Sequence, residues 1–121
     1  MENSKISKNP EILRIKAGIF KALAHPSRIA IVEALDKGEM CVCELEKLVE
    51  GNMSTVSKHL SVLKNAGIVN VEKRGMNVFY TLRAACVPGF SECIEDMIRN
   101  DADGKIACCA QSRRLRKTKK A

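Results

Sequence analysis

The sequence predicts a mainly α protein with a β-hairpin wing, a winged helix-turn-helix. Three observations predict it. Apolar residues recur at three- and four-residue steps through most of the chain. Two short helical segments meet at a Gly-Asn junction, and one alternating hairpin with a basic tip follows them. Aromatic residues make up only 3% of the 121 and Trp is absent, so the core must be aliphatic, which suits helices better than a β-sandwich. A hydrophobic share of 45% beside 29% charged residues fits a folded soluble domain and argues against general disorder.

Past Pro10, the segment EILRIKAGIFKALA places Ile12, Ile15, Ile19 and Leu23 on one stripe, an amphipathic helix that stops before His25-Pro26. Pro26 suits the first position of a second helix, with Ile29, Val32 and Leu35 on one face and Gly38 at its end. A third, shorter helix carries Leu45, Leu48 and Val49 and ends near Gly51. Asn52 can cap the fourth, MSTVSKHLSVLKNAG, whose buried stripe is Val56, Leu60 and Leu63. Its outer face presents Ser54, Thr55, Ser57, Lys58 and Ser61, and Gly67 takes the position that closes it. IVNVEKR and NVFYTL then form two strands around Arg74-Gly75-Met76, with Val78, Tyr80 and Leu82 alternating against Asn77, Phe79 and Thr81. A last helix runs from about Val87 to Ile98, with Phe90, Cys93, Ile94 and Met97 on one side, and residues from Asn100 on read as flexible. The division expected is an arm at 1–10, one folded domain at 11–99 and a cysteine-containing basic tail at 100–121.

Net charge is +7, but the nine C-terminal residues, RRLRKTKKA, hold six bases and no acid, which leaves 15 bases against 14 acids in residues 1–112. The body is nearly neutral, so total charge alone says little about a polyanionic partner. A basic tail of this kind is more often a solvated end than a specific arm. No apolar run approaches the roughly 20 residues that span a bilayer, and the N-terminus lacks a signal-peptide core, so a cytoplasmic setting with no membrane partner is expected. In a reducing compartment the six cysteines need an explanation other than a disulfide scaffold: metal capture, redox sensing or packing.

The helix-turn-helix and its wing make a physical case for DNA. Small hydroxyls on the fourth helix permit close approach to base edges and phosphates, and Lys58, Lys64, Lys73 and Arg74 can neutralise backbone charge. KALAHPSRIAIVEAL, CVCEL, STVSKHLSVLKNAGIV and EKRGMNVFYTL follow in that order, and across residues 12–98 the chain resembles the ArsR/SmtB family of metal-sensing winged-helix repressors. The resemblance implies a homodimer joined through the first and last helices, with the fourth helix in the major groove of a palindromic, double-stranded operator. Ser54, Thr55, Ser57, Lys58 and His59 match the family's DNA-reading segment, with Ser61 and Lys64 further along the same helix, and Arg74 with Gly75 matches its wing. His59 has two open roles, contact and packing. His25, in the His-Pro-Ser-Arg helix start, reads as structural.

Cys41-Val42-Cys43 matches the family's metal box, where thiolates capture soft ions such as arsenite, antimonite, cadmium or lead. The implied inducer is As(III), with Cd(II) and Pb(II) behind it, and no organic cofactor. Residues two apart point about 200° apart on a regular helix, so joint ligation needs a distorted or extended first turn and is expected to strain the helix-turn-helix. A helix N-terminus is expected to lower the thiol pKa values.

The chain departs from the arsenite-type box, which has a third cysteine where Glu46 stands, and from the cadmium-type variant, because residues 1–40 contain no cysteine. Cys108-Cys109 is the leading source of the missing sulfur. Cys86 and Cys93, seven apart, are either ligands or small apolar residues at a dimer seam. No His follows His59, which argues against a zinc or nickel site of Asp and His on the last helix.

An enzyme is not expected. There is no Cys-x-x-Cys after a strand, no phosphate loop, and no acid/base pair around His25 or His59. Two alternatives keep the fold: a repressor that senses oxidants or persulfides through reversible disulfide formation, and a passive metal buffer with vestigial DNA binding.

Overall fold

The structure, a computed structural model, describes residues 9–102. In chain order these form α1 (Pro10–Leu23), α2 (Pro26–Leu35), β1 (Met40–Cys41), α3 (Val42–Glu46), α4 (Met53–Asn65), β2 (Val69–Arg74), β3 (Asn77–Leu82) and α5 (Val87–Ala102). The chain divides into two compact units, Met1–Ala84 and Ala85–Ala121.

Side chains fix where the helices begin. Asn9 accepts from the Glu11 N–H at 2.8 Å to open α1, and His25 Nδ1 accepts from the Ser27 N–H at 3.0 Å to open α2, with Pro26 at the first helical position as expected. Asn52 opens α4, its Oδ1 accepting from the Thr55 N–H at 3.0 Å and the Thr55 hydroxyl at 3.2 Å. Gly51 before it sits at φ +120, and a Cβ there would stand 3.0 Å from the Thr55 side chain, so the turn into α4 requires glycine.

In the first unit the core gathers Ala22 from α1, Ile31, Val32 and Leu35 from α2, Leu45 from α3, Val56, Leu60 and Leu63 from α4, and Ile68 and Val69 entering β2. The α4 stripe is the one the periodicity picks out, and all three members are fully buried; each such side chain contributes about 1.5–3 kcal/mol through burial. On α2 the expected face is rotated: Ile29 is exposed and Ile31 is fully buried. That helix is apolar on several sides, so spacing alone cannot select the inward one. Of the expected α1 stripe, Ile12, Ile19 and Leu23 are half-buried and Ile15 is exposed; the one buried residue of α1 within this unit is Ala22, and Leu13 and Phe20 are exposed.

The three strands run in the order β1-β3-β2, all antiparallel. β2 and β3 form the expected hairpin, Arg74 pairing with Asn77 across a two-residue turn whose Gly75 lies at φ +62. β1 was not expected from the sequence. Its Met40 pairs with Tyr80 and its Cys41 with Phe79, making β3 central.

The third helix is shorter than expected, ending at Glu46, with Leu48 and Val49 in the turns that follow. In the second unit α5 continues past Ile98 through Asn100 to Ala102, and it exposes Phe90, Ile94, Met97 and Ile98. No helix of the described residues is long and apolar enough to cross a membrane.

Candidate functional site

The stripe that buries α4 turns its other side outward. Ser54, Ser57, Lys58, Ser61 and Lys64 are exposed and Thr55 is half-buried. Among the described residues no ion pair engages Lys58, Lys64 or Lys73. A depression of about 490 Å³ runs along this surface, lined by Arg28, Thr55, Ser57, Lys58, His59, Ser61 and Val62.

His59 does not belong to the outward set. It is 8% exposed, and of its two open roles the structure gives it packing. Its Nδ1 accepts from Arg28 Nε at 3.2 Å, and its ring lies 4.3 Å from that of His25 between centroids. Arg28 Nη1 also donates to the carbonyls of Ala22 at 3.1 Å and Lys21 at 3.5 Å at the end of α1, where the Lys21 carbonyl already accepts from the Ala24 N–H. One guanidinium thus ties α1 and α2 to the back of α4. Burial holds the His59 pKa below its ordinary value, and the charges of His25 and Arg28 act in the same direction. The sequence reading missed Arg28, which sits three residues after His25 in the segment taken as structural.

The wing carries a second base that is engaged. Arg74 Nη2 donates to Glu39 Oε2 at 2.6 Å, its Nε lies 3.8 Å from Glu72 Oε1, and its guanidinium carbon stands 4.0 Å from the centroid of the Phe79 ring. Glu39 and Phe79 were not anticipated either. Lys73 and Gly75 flank Arg74, exposed.

Cys41 and Cys43 meet at the junction of β1 and α3. Cys41 is still extended, at φ −86 and ψ 165, and only Cys43 lies inside the helix, so the two sulfurs come within 2.8 Å of each other. This is the extended first turn that joint ligation needs. Because Cys41 is extended in β1, bringing the two sulfurs together requires no unwinding of α3 itself. The Cys41 N–H donates to Glu44 Oε1 at 3.0 Å, and the Glu44 N–H faces Cys41 Sγ in return. The expectation of a lowered thiol pKa is corrected at Cys41. Its hydrogen bond with Cys43 raises its pKa, outweighing the opposing Glu44 N–H.

Two sulfurs do not complete a trigonal site. Among the described residues no group of three or more His, Cys, Asp or Glu side chains is placed to hold a metal ion. Cys86 and Cys93 fall in the second unit, Cys86 exposed and Cys93 half-buried near the start and middle of α5. Cys108 and Cys109 lie outside the described residues.

A helix with an outward row of hydroxyls and lysines, seated on a helical core and followed by a basic hairpin, defines a winged helix-turn-helix transcriptional regulator. Residues 25–71 match the family described as bacterial regulatory protein, arsR family. The structure is similar to the transcriptional repressor BigR of Xylella fastidiosa, at 31% identity and a TM-score of 0.63, covering 78% of this chain and 96% of that one. The chain belongs to the ArsR/SmtB family.

It is also 42% identical over 67 residues to the cadmium resistance transcriptional regulatory protein CadC homolog of Staphylococcus aureus, a match covering 54% of this chain and 55% of that protein. A homodimeric winged helix-turn-helix DNA-binding domain from Mycobacterium bovis, described as a possible ArsR-family regulator, superposes with a TM-score of 0.68 at 26% identity, covering 75% of this chain and 87% of that one. The matches span just over half the length of the first curated relatives. These relatives are transcriptional regulators and not enzymes.

Proposed function

We propose that this protein is a homodimeric, cytoplasmic transcriptional repressor that reads a palindromic operator with α4 and leaves it when a thiophilic ion binds Cys41 and Cys43. The convergence of the two sulfurs to 2.8 Å carries the reading. Thiolates select soft centres, and an N-cap sulfur beside a first-turn sulfur gives one ion two donors without unwinding α3. Ser54, Thr55, Ser57, Lys58, Ser61 and Lys64 supply the reading surface, and Lys73, Arg74 and Gly75 the wing contact.

As(III) leads as inducer because this box is built of sulfur alone. Cd(II) is strengthened by the cadmium-resistance relative, and Pb(II) follows. Cys108-Cys109 remains the proposed source of a third sulfur, from the same chain or its partner. Cys86, just before α5, and Cys93 within it fit a packing role at the dimer seam, supported by the exposed Phe90, Ile94 and Met97 of that helix. Leu13, Ile15 and Phe20 on α1 offer the other apolar face that a dimer needs.

The test is fluorescence anisotropy of the reduced, ion-free protein on DNA from upstream of its own gene, titrated with arsenite and then Cd(II). Tight binding released by about one equivalent of ion supports the reading. Cys41→Ser and Cys43→Ser are expected to keep operator binding and lose the response; a retained response in both sinks the site. The same sulfur contact favours a second reading, in which the two thiols give two electrons and two protons to a peroxide and close into a disulfide. Operator binding that ignores every thiophilic ion yet falls on oxidation selects it.

A further inference from the structure

Cys41 and Arg74 are assigned separate tasks by the proposed function, ion capture and phosphate contact, yet they are joined by a short path. Arg74 is bonded to Glu39, two residues before Cys41, and its guanidinium sits over Phe79, the residue paired with Cys41 across β1 and β3. β1 is two residues long and lies at the sheet edge, so whatever holds Cys41 in place also holds Glu39 and the strand opposite. With Glu39 at 2.6 Å and Glu72 at 3.8 Å, the Arg74 charge is compensated within the protein. A DNA phosphate can reach the Nη1 side, which no carboxylate of the described residues engages. It competes with Glu39 and Glu72 for the same charge, however, and gains the bidentate bond only when Glu39 lets go.

From this geometry we infer that Glu39 is a latch that competes with DNA for Arg74 and reports the state of the Cys41/Cys43 pair to the wing. The inference rests on the proposed function and supplies its regulation. The conformation in which the sulfurs converge is the same one in which Arg74 is held by Glu39. An ion held by Cys41 and Cys43 would keep Cys41 docked in β1 and so favour the latched arrangement; DNA, by recruiting Arg74, favours the one in which Glu39 has let go. Ligands that prefer different conformations of one element oppose each other reciprocally, which gives release of DNA by the ion without any strain in α3.

Glu39 and Arg74 are 42% and 45% exposed, so Glu39→Gln leaves the core untouched. Without an ion, Glu39→Gln is expected to bind operator about two- to fivefold more tightly, the range an exposed ion pair supports. Its salt dependence should steepen by about 0.9 in log–log slope, one phosphate contact more. The loss of DNA affinity caused by Cd(II) should shrink by the same factor. Glu72→Gln is the control, because it removes the same charge from the wing but does not adjoin the thiols. It should keep the full Cd(II) response. Equal behaviour of the two variants overturns the inference, since general electrostatics then explains both.

A second readout needs no DNA. The Arg74 Nε–H resonance, assigned with Arg74→Lys, should shift and exchange more slowly with water on adding Cd(II), and should not respond in Cys41→Ser. An unmoved resonance in a protein whose thiolate absorption shows Cd(II) bound at Cys41 and Cys43 refutes the latch while leaving the proposed function standing. A chain that binds Cd(II) at neither cysteine overturns the thiol reading and the latch together.

Discussion

The reading helix and the wing both offer bases, but they are held in opposite ways. α4 is fastened from behind: Val56, Leu60 and Leu63 are fully buried, His59 is bonded to Arg28, and the outward lysines have no acidic partner among the described residues. The wing has little buried anchorage beyond Val69, and its arginine is occupied by two carboxylates and a ring. One surface is preorganised for a polyanion; the other must be released to meet one. Affinity is therefore expected to reside mainly in α4 and its modulation mainly in the wing.

The largest effect should come from removing what fastens α4. Leu60→Ala is expected to cost about 2–5 kcal/mol of stability, since it empties a fully buried site beneath the reading face. Chemical denaturation measures it; a loss under 1 kcal/mol would mean that α4 is not anchored by its stripe. Arg28→Ala comes next, at about 1–3 kcal/mol, because it leaves the carbonyl of Ala22 and Nδ1 of His59 without their donor. Its operator affinity should fall further than its stability predicts, whereas a proportional fall would make Arg28 a scaffold residue only.

Lys58→Ala is smaller and of another kind. It should weaken binding to all DNA sequences alike and flatten the salt slope by about 0.9. A sequence-selective loss would place Lys58 on a base edge instead. The smallest effect is a pH dependence. His59 has a folded pKa below its ordinary 6.5, so the unfolded chain binds the proton more readily and the stabilising contribution is complete above that value. Melting temperature should decline as pH falls below about 6.5, and His59→Gln should flatten that decline. An unchanged slope in the variant assigns the acid sensitivity elsewhere.

How much was legible in the sequence follows from the same contrast. α4 was legible because three apolar residues at helical spacing, a capping Asn52 and a closing Gly67 all agree. The hairpin was legible because its turn is two residues long and carries glycine first. β1 was not, since two residues have no period to detect, and with it went the pairing that places Phe79 opposite Cys41. The need for an extended Cys41 followed from side-chain directions on a helix, but the sheet that satisfies it did not. Glu39, Arg28 and Phe79 escaped notice because each acts through a partner 31 or 35 residues away or across a strand, and sequence spacing carries no such pairing.

The pairing of Met40 with Tyr80 gives the molecule a built-in optical probe. Tyr80 is the only tyrosine and there is no Trp, so near-ultraviolet emission arises from one phenol standing between β1 and β2. That ring is half-buried, and burial pushes its ionisation above the ordinary range. Its brightness, and the alkaline midpoint of its absorbance, will therefore track whether the two-residue strand beside it is docked. The movement of the thiol corner can be timed in unlabelled, unmutated protein in a stopped-flow cell.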